Sequence, residues 1–567
     1  MKKIRLIVLV LMVSVTLFNC TTSEDENPVP QVLSLSPASS VAHLPEFTMT
    51  VNGQGFVEGS VIIFDGKEKS TTFVSGTQLS CVISPDDTFM EIVNNAVQDN
   101  AAVAEKAVSV AVRNPAPGGG TSGNTGFQIR ENFEFESPLR LFNSITNGWA
   151  GPLLIDSNDN LFMNISEVDV NRYNISFTNH LSASADSGDT WDNPESYLRK
   201  TEAYNENLIL DDQGNVHFIF HDWRKSQTGI FYMKKSKDTG AWSEPVNIAG
   251  NDKSVWSSYF EHKATIQGDK IFVFWTVWTK SYDEFLEYTY SQDNGKTWSA
   301  PARLKDLGYV GWIESVIGED GSLHLIYAKA VRKASWEFYI DVYTARSSDN
   351  GHTWSDPVMI SNGAGRSYYP QVAYSGSSNN FQIFWIYKKT GLITNSLIEN
   401  LNNRQRPGFR TMPDEPATGD QSPVPSNDVI PPTYFLNMRS SVDGGSSWSP
   451  EHTFLQFGNA DDYFFDMHFD INSDAAGNLN LVVNEKGFFY GVSITNNLSV
   501  SPVMNAYFTR SIDGGMNWTA PVVLSPDPET IAEYVNSDSS GNIYILLNRF
   551  DPSDYFKIEP FISRSIK

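Results

Sequence analysis

Cysteine, net positive charge and long hydrophobic runs are all scarce in this sequence of 567 residues. Its two cysteines, Cys20 and Cys81, are too few for a disulfide framework, and Cys81, within an alternating run, is predicted to be a small buried residue. Lys and Arg total 41 against 66 Asp and Glu, a net charge of −25. Phosphate recognition needs clustered basic side chains, so we expect no nucleic-acid partner. No His or Cys spacing matches a metal site, and we expect neither a metal ion nor a cofactor.

One apolar run stands near the start of the chain. It covers residues 6–18, follows three basic residues and is too short for a stable transmembrane helix. It leads to Cys20 in a pattern that resembles a lipobox, which implies cleavage before this cysteine and its lipidation. The acidic stretch at residues 23–27 is similar to the export signals of surface lipoproteins. We therefore expect a signal peptide at residues 1–20, an acidic tether at residues 21–29, and an outer-membrane, lipid-anchored protein facing the cell exterior.

Residues 30–129 alternate short β runs with turn residues. The runs FTMTVNGQGF at residues 47–56 and VIIFDG at residues 61–66, and the closing run VSVAVRN at residues 108–114, resemble the IPT/TIG family of immunoglobulin-like domains. The resemblance implies a β-sandwich that acts as a spacer. We predict an IPT/TIG domain over this segment, without a catalytic cluster.

A motif of the form Ser-x-Asp-x-Gly-x-x-Trp recurs through the rest of the chain. Ser and Asp can hydrogen-bond the amides of a turn, Gly supplies a positive φ, and Trp buries its ring between neighbouring units. A shortened copy begins at Ser236. The full copies begin at Ser184, Ser291, Ser347, Ser441 and Ser511.

This repeat resembles the Asp box, or BNR repeat, of sialidase-like β-propellers. The resemblance implies a ring of four-stranded sheets, with the Asp boxes on the face away from the ligand. Two β runs around a polar turn recur seven times, which favours seven blades, although sialidases have six and six stays an alternative. The chain ends without an outer strand, and residues 137–142 are predicted to supply it and close the ring. The predicted fold class is all-β: an IPT/TIG sandwich, then an Asp-box propeller over residues 130–567.

The loops after each second strand and before each inner strand are expected to surround the mouth of a central channel. They are rich in aromatic rings, which stack on sugars, and in charged groups, which bind hydroxyls and carboxylates, so they predict a carbohydrate site. The candidate catalytic residues, chosen for proton transfer, are His221, Asp222, Tyr259, Glu261 and His262. The candidate substrate-binding residues are Arg224, Trp256, Trp275, Trp278, Trp312, Arg366, Tyr368, His468 and Arg549.

Three functions stay open on these residues. A sialidase-like glycoside hydrolase or a polysaccharide lyase needs acid and base groups that converge at the channel mouth. A non-catalytic glycan-binding lipoprotein needs the aromatic residues alone, and a protein-binding adhesion propeller is the third alternative. We expect a polysaccharide or glycoconjugate as the partner, together with the membrane that holds the lipid anchor.

Overall fold

The computed structural model describes residues 26–42, 46–88, 105–142, 144–145, 147–171, 174–201, 204–222, 229–250, 255–256, 261–279, 284–304, 310–334, 337–363, 365–375, 380–389, 433–457, 469–485, 505–519, 521–525, 530–551 and 554–566. Nearly all of its regular structure is strand, which confirms the all-β prediction. The chain forms two compact units, one built around Glu46–Ile83 and Ala107–Gln128 and the other from Ile129 onward. The predicted signal peptide and Cys20 lie outside the described residues.

Two sheets make up the N-terminal sandwich. The first contains, in spatial order, Gln31–Ser36, Phe47–Gln54, Gln78–Ile83 and Thr71–Ser75. The second contains Ser39–Val41, Thr125–Arg130, Glu105–Asn114, Val61–Phe64 and Lys67–Glu68, with Gly120–Thr121 paired to Glu105–Asn114. A short 3₁₀ helix covers Pro85–Thr88.

Alternating apolar residues fill the space between these two sheets, because successive side chains of a strand point to opposite faces. The ring of Phe127 stacks on Phe47 of the other sheet with a centroid distance of 6.3 Å. It meets Phe64 edge-on at 5.4 Å. Cys81 is buried in the same core, as predicted.

Seven antiparallel four-stranded units, here called blades one to seven in chain order, make up the second unit within the described residues, and a parallel pairing of Ile340 with Arg366 joins blades four and five into one sheet. Each has an inner, a second, a third and an outer strand. The inner strands are Gly148–Ile155, Tyr204–Leu210, His262–Gln267, Val310–Ile317, Arg366–Ser375, Phe469–Ser473 and Thr530–Ser537. The second strands are Leu161–Asn171, Val216–Asp222, Lys270–Thr279, Leu323–Ala334, Asn380–Lys389, Leu479–Glu485 and Ile543–Asp551.

The third and outer strands complete each blade. The third strands are Asn174–Ser184, Gly229–Lys235, Glu284–Ser291, Glu337–Ser347, Thr433–Ser441, Asn505–Ser511 and Asp554–Ile566. The outer strands of blades one to six are Glu195–Thr201, Val246–Asn247, Ala302–Leu304, Val358–Met359, His452–Phe457 and Val522–Val523. Blade three also pairs Val255–Trp256 with the end of its second strand.

The inner strands follow one another in a ring, and the inner strand of blade seven lies beside that of blade one. Side-chain amides join neighbouring blades. Asn207 Nδ2 donates to the carbonyl oxygen of His262 at 2.8 Å, which links blades two and three. At the seam, the amide N–H of Ala150 donates to Asn548 Oδ1 at 3.0 Å. The second unit is therefore a closed propeller.

Strands from the start of the second unit complete blade seven. Leu139–Arg140 pairs with the third strand so that Leu139 lies opposite Ile562. Glu134–Phe135 pairs further along the same strand. An early segment thus supplies the outer strand of the last blade, as predicted, and the described blades number seven rather than six.

The repeated motif forms a turn between the third and outer strands, here called the Ser-Asp-Gly turn. Ser291 Oγ donates to Asp293 Oδ1 at 2.8 Å and accepts from the amide of Gly295 at 2.8 Å. Asp293 Oδ1 accepts from the amide of Thr297 at 2.8 Å, and Gly295 has a φ of 81°. The other full copies repeat the bond from the glycine amide to the serine hydroxyl. These local bonds explain why the motif keeps its spacing.

Each turn also contacts the blade before it. The ring of Trp354 lies 5.9 Å from Phe274 and 6.1 Å from Tyr288, both in blade three. Tyr288 donates its hydroxyl to the carbonyl oxygen of Gly351. The tryptophan therefore packs between neighbouring blades, as predicted, and the turn stabilises the contact of one blade with the next.

Candidate functional site

The antiparallel order of strands separates the two ends of each blade. The Ser-Asp-Gly turns share one end with the turns that join inner and second strands. The other end, where inner strands begin and second strands finish, is here called the mouth end. Most of the candidate site residues belong there.

Bulges interrupt several inner strands near the mouth end. The register shifts between Gly311 and Ile313 in blade four, and between Tyr368 and Gln371 in blade five. The bulged residues Trp312 and Tyr369 have φ values of 50° and 54°. A bulky side chain in this left-handed region carries a strain of about 1–2 kcal/mol, and such strain is concentrated at functional sites.

Three aromatic side chains meet at these bulges and form what is here called the aromatic cluster. The ring centroid of Trp312 lies 4.9 Å from Tyr369 and 5.7 Å from Tyr368. The two tyrosine rings are 5.8 Å apart at an interplanar angle of 74°. Trp312 and Tyr369 are partly exposed, whereas Tyr368 is buried. The cluster therefore offers two partly exposed aromatic rings, both of which pack against the buried ring of Tyr368.

Glu261 lies directly before the inner strand of blade three. The amide N–H of Thr276 donates to its carbonyl oxygen at 3.0 Å, which fixes its backbone. A Cβ atom built on Gly311 would be 3.9 and 4.0 Å from the two carboxylate oxygens of Glu261. Glu261 is partly exposed, and Gly311, beside its carboxylate, is the residue before Trp312. Sequence reasoning selected Glu261, and the structure brings its carboxylate beside Gly311 of blade four.

Two basic side chains face each other at the mouth end of blade five. Arg366 begins the inner strand and lies directly opposite Lys388 of the second strand. Lys388 Nζ is 5.2 Å from the ring centroid of Tyr434, its neighbour on the third strand. Burial, followed by the charge of Arg366, lowers the pKa of Lys388 to about 8, and burial also lowers the pKa of Arg366. Sequence reasoning found Arg366 but missed Lys388 and Tyr434.

The two candidate catalytic histidines lie inside the propeller. His221 is buried in the second strand of blade two, and burial lowers its pKa to about 3, with the nearby His262 as a smaller cause. His262 Nε2 donates to the carbonyl oxygen of Ile219 at 3.2 Å. Asp222 is buried as well. The structure brings these three residues together, but their rings and carboxylate are not exposed to a saccharide.

Two further candidates are placed away from the aromatic cluster. Trp275 is wholly buried within the apolar packing of blades two and three, and its Nε1 donates to Glu287 Oε2 at 3.2 Å. No ring face of Trp275 is left for a sugar, which is a correction to its predicted role. The guanidinium of Arg549 lies 4.1 Å from the ring centroid of Phe561 within blade seven.

The other candidates have no described side chain. Trp256 and Trp278 lie opposite each other as backbone partners in blade three. Arg224, Tyr259 and His468 lie outside the described residues. Within the described part of the chain, no group of three or more His, Cys, Asp and Glu side chains could hold a metal ion. No helix of that part is long and apolar enough to cross a membrane.

Fold and site together define a β-propeller protein with an N-terminal immunoglobulin-like domain. Residues 30–129 match the model of the IPT/TIG domain family, so this domain is an IPT/TIG domain, as predicted. No curated protein sequence matches the chain.

Three solved structures show a distant likeness to the chain. An alpha-L-arabinofuranosidase from Fusarium graminearum has 12% identity and a TM-score of 0.38, over 65% of this chain and 93% of that one. The NanB sialidase from Streptococcus pneumoniae has 10% identity and a TM-score of 0.37, over 92% and 83%. An ulvan lyase has 12% identity and a TM-score of 0.36, over 77% and 97%. Likenesses this distant carry no argument about activity.

Proposed function

We propose that this chain is a carbohydrate-active surface protein that binds a glycan at the mouth end of blades three to five. The observation that carries the proposal is the aromatic cluster, in which Trp312 and Tyr369 keep strained backbone conformations. Strain of this kind persists when the surrounding structure fixes it, and rings fixed in advance lose little entropy when a ligand binds. Partly exposed aromatic faces suit the apolar faces of sugar rings.

Cleavage of the glycan is assigned to Glu261. Its carboxylate lies beside Gly311, the residue before Trp312 of the aromatic cluster, and Glu261 is partly exposed, so it can exchange a proton with a bound sugar. His221 and His262 are buried and have no such access. Glu261 therefore replaces the histidines as the first residue to test for proton transfer.

A non-catalytic capture protein is the second candidate function. Most glycoside hydrolases use two carboxylates. Glu314, two residues beyond Trp312 on the same strand, is held in an ion pair of 2.8 Å with Lys263. Because this ion pair neutralises Glu314, Glu314 is a poor partner for Glu261 in a two-carboxylate mechanism, which supports binding without cleavage.

The surface location is also part of the proposal. It rests on the apolar run at residues 6–18 and on Cys20 as the lipidated residue. A lipid anchor, an IPT/TIG spacer and a glycan-binding propeller would hold the propeller outside the cell, where polysaccharides are available.

Product release separates the two candidates. The protein would be incubated with sialylated, uronate-containing and neutral glycans, and the products identified by mass spectrometry. A new reducing end with added water indicates a hydrolase, and an unsaturated product indicates a lyase. Either activity should be lost in Glu261→Gln and kept in Glu314→Gln. Binding without turnover favours the capture protein, and the absence of both contradicts a carbohydrate function.

A further inference from the structure

Blade five holds two positive charges in a place where charge is costly. Arg366 is 4% exposed, and Lys388, directly opposite on the neighbouring strand, is partly buried. Like charges that face each other across a strand pair are destabilising, and burial adds to the cost. Natural proteins neutralise such charges with a carboxylate.

Among the described residues, no carboxylate forms an ion pair with Arg366 or Lys388. Burial lowers the pKa of Arg366, and the neighbouring Tyr368 and Tyr434 oppose this shift. Burial and then the charge of Arg366 lower the pKa of Lys388. Another buried arginine of the propeller, Arg510, shows the contrast, because it lies 3.3 Å from the carboxylate of Asp474. The pair Arg366–Lys388 therefore has a positive field that the described chain does not cancel.

The pair also has a defined position relative to the aromatic cluster. Tyr368 is two residues from Arg366 on the same strand, so the two side chains share one face of blade five. The ring of Tyr368 in turn contacts Trp312 at a centroid distance of 5.7 Å. A ligand whose ring lies on the cluster would bring its substituents toward the two cations.

We propose that Arg366 and Lys388 form a binding site for the anionic group of an acidic sugar, with the sugar ring on the aromatic cluster. The inference rests on the proposed glycan-binding function and adds the substrate class. A carboxylate would receive charge-assisted hydrogen bonds from the guanidinium and the ammonium group, and the ligand would supply the missing counter-charge. A sulfate ester has the same chemistry and is distinguished by experiment.

Binding of the full chain to matched saccharides tests the inference. The methyl ester of oligogalacturonate carries a methyl group in place of the negative charge of each carboxylate, and a sulfated neutral galactan carries its charge as a sulfate ester. The wild-type protein should bind oligogalacturonate about tenfold to a hundredfold more tightly than the ester. Lys388→Met should remove this preference. Lys270→Met should keep it, because Lys270 donates to Asn350 at a Ser-Asp-Gly turn, away from the mouth end. A preference for the sulfated galactan that Lys388→Met also removes assigns the site to sulfate.

Stability provides a second readout. Without ligand, Lys388→Met should unfold at the same urea concentration as the wild type or at a higher one, since it removes half of an uncompensated pair. A large loss of stability with unchanged acid preference would mean that the chain neutralises the pair itself, and the inference would be overturned. Equal binding of acid, ester and sulfated galactan would overturn it and leave the proposed function intact. Absence of all saccharide binding would contradict both.

Discussion

At the scale of single residues, the glycines of the Ser-Asp-Gly turns combine two requirements. Gly295 has a φ of 81°, and a Cβ atom there would collide with the side chain of Tyr232 in the preceding blade. Gly240, in the shortened copy, has a φ of 67° and open space around it. The first position needs glycine for backbone conformation and for close approach, the second for conformation alone.

The two glycines therefore predict different costs for the same substitution. Gly240→Ala should lower the free energy of unfolding by about 1 kcal/mol, the cost of a left-handed alanine. Gly295→Ala should lower it by an additional 1–3 kcal/mol or so, because Tyr232 must move. Urea unfolding of both variants measures the difference. Equal losses would show that the approach of neighbouring blades does not depend on the glycine.

The aspartates of the turns predict how stability responds to acid. The side chain and amide of Thr297 donate to Asp293 and lower the pKa of its carboxyl to about 2 from an ordinary value of 3.8. Asp186, Asp349 and Asp443 have pKa values lowered to about 2 in the same way. A lowered pKa means that the stabilisation is present above pH 4 and is lost as the pH falls toward 2.

Urea midpoints at pH 5, 3 and 2 check this expectation. The midpoint should fall steeply between pH 4 and 2, and Asp293→Asn should make the fall shallower. Asp238→Asn, in the shortened copy, should leave the steepness of this fall unchanged, because no described hydrogen bond holds the carboxylate of Asp238. A midpoint that does not change over this range would contradict the role given to the turns.

At the scale of elements, the outer strand of blade seven joins the two ends of the propeller. Leu139 lies opposite Ile562 in this pairing. Leu139→Cys combined with Ile562→Cys, in a Cys81→Ala background without Cys20, should form a disulfide and raise the thermal midpoint. Leu139→Cys with Ser563→Cys is the control, because a shift of one residue points the side chain to the other face. Thiol titration measures the fraction of disulfide in each double variant. An equal fraction in the two variants would contradict the register.

Some elements could be predicted from the sequence because their chemistry is local. Ser291, Asp293 and Gly295 hydrogen-bond within one turn, so their spacing alone indicates the turn. The closing strand could be predicted because the last blade lacked an outer strand. Glu261 was selected as a candidate because it is a charged residue directly before an inner strand.

Other residues gave no usable signal. Every residue of Val216–Asp222 is buried, so alternation cannot tell which side chains of such a strand reach the surface, and His221 was taken for an accessible residue. Trp275 lies in a similar strand and belongs to the core for the same reason. Lys388 was missed because a lysine at a strand end is usually solvated, and its role depends on Arg366 across the strand pair.

At the scale of the whole molecule, the proposed anchor makes a prediction about location. The full chain should partition with the membrane fraction and carry lipid on Cys20 after processing. Cys20→Ala should abolish lipidation, whereas Cys81→Ala should not, because Cys81 is buried in the N-terminal domain. Fractionation and mass spectrometry of the N-terminal peptide measure this. Lipidation that survives Cys20→Ala would contradict the proposed anchor.

The central claim is that the aromatic cluster binds a glycan, and the most direct measurement is binding to an immobilised glycan panel by wild-type protein, Trp312→Ala and Phe73→Ala. Phe73 is an exposed aromatic residue of the N-terminal domain and is the control. The account predicts that the wild type binds at least one glycan, that Trp312→Ala weakens this binding about tenfold, and that Phe73→Ala does not change it. Binding that is unaffected by Trp312→Ala, or the absence of any bound glycan, would contradict the account.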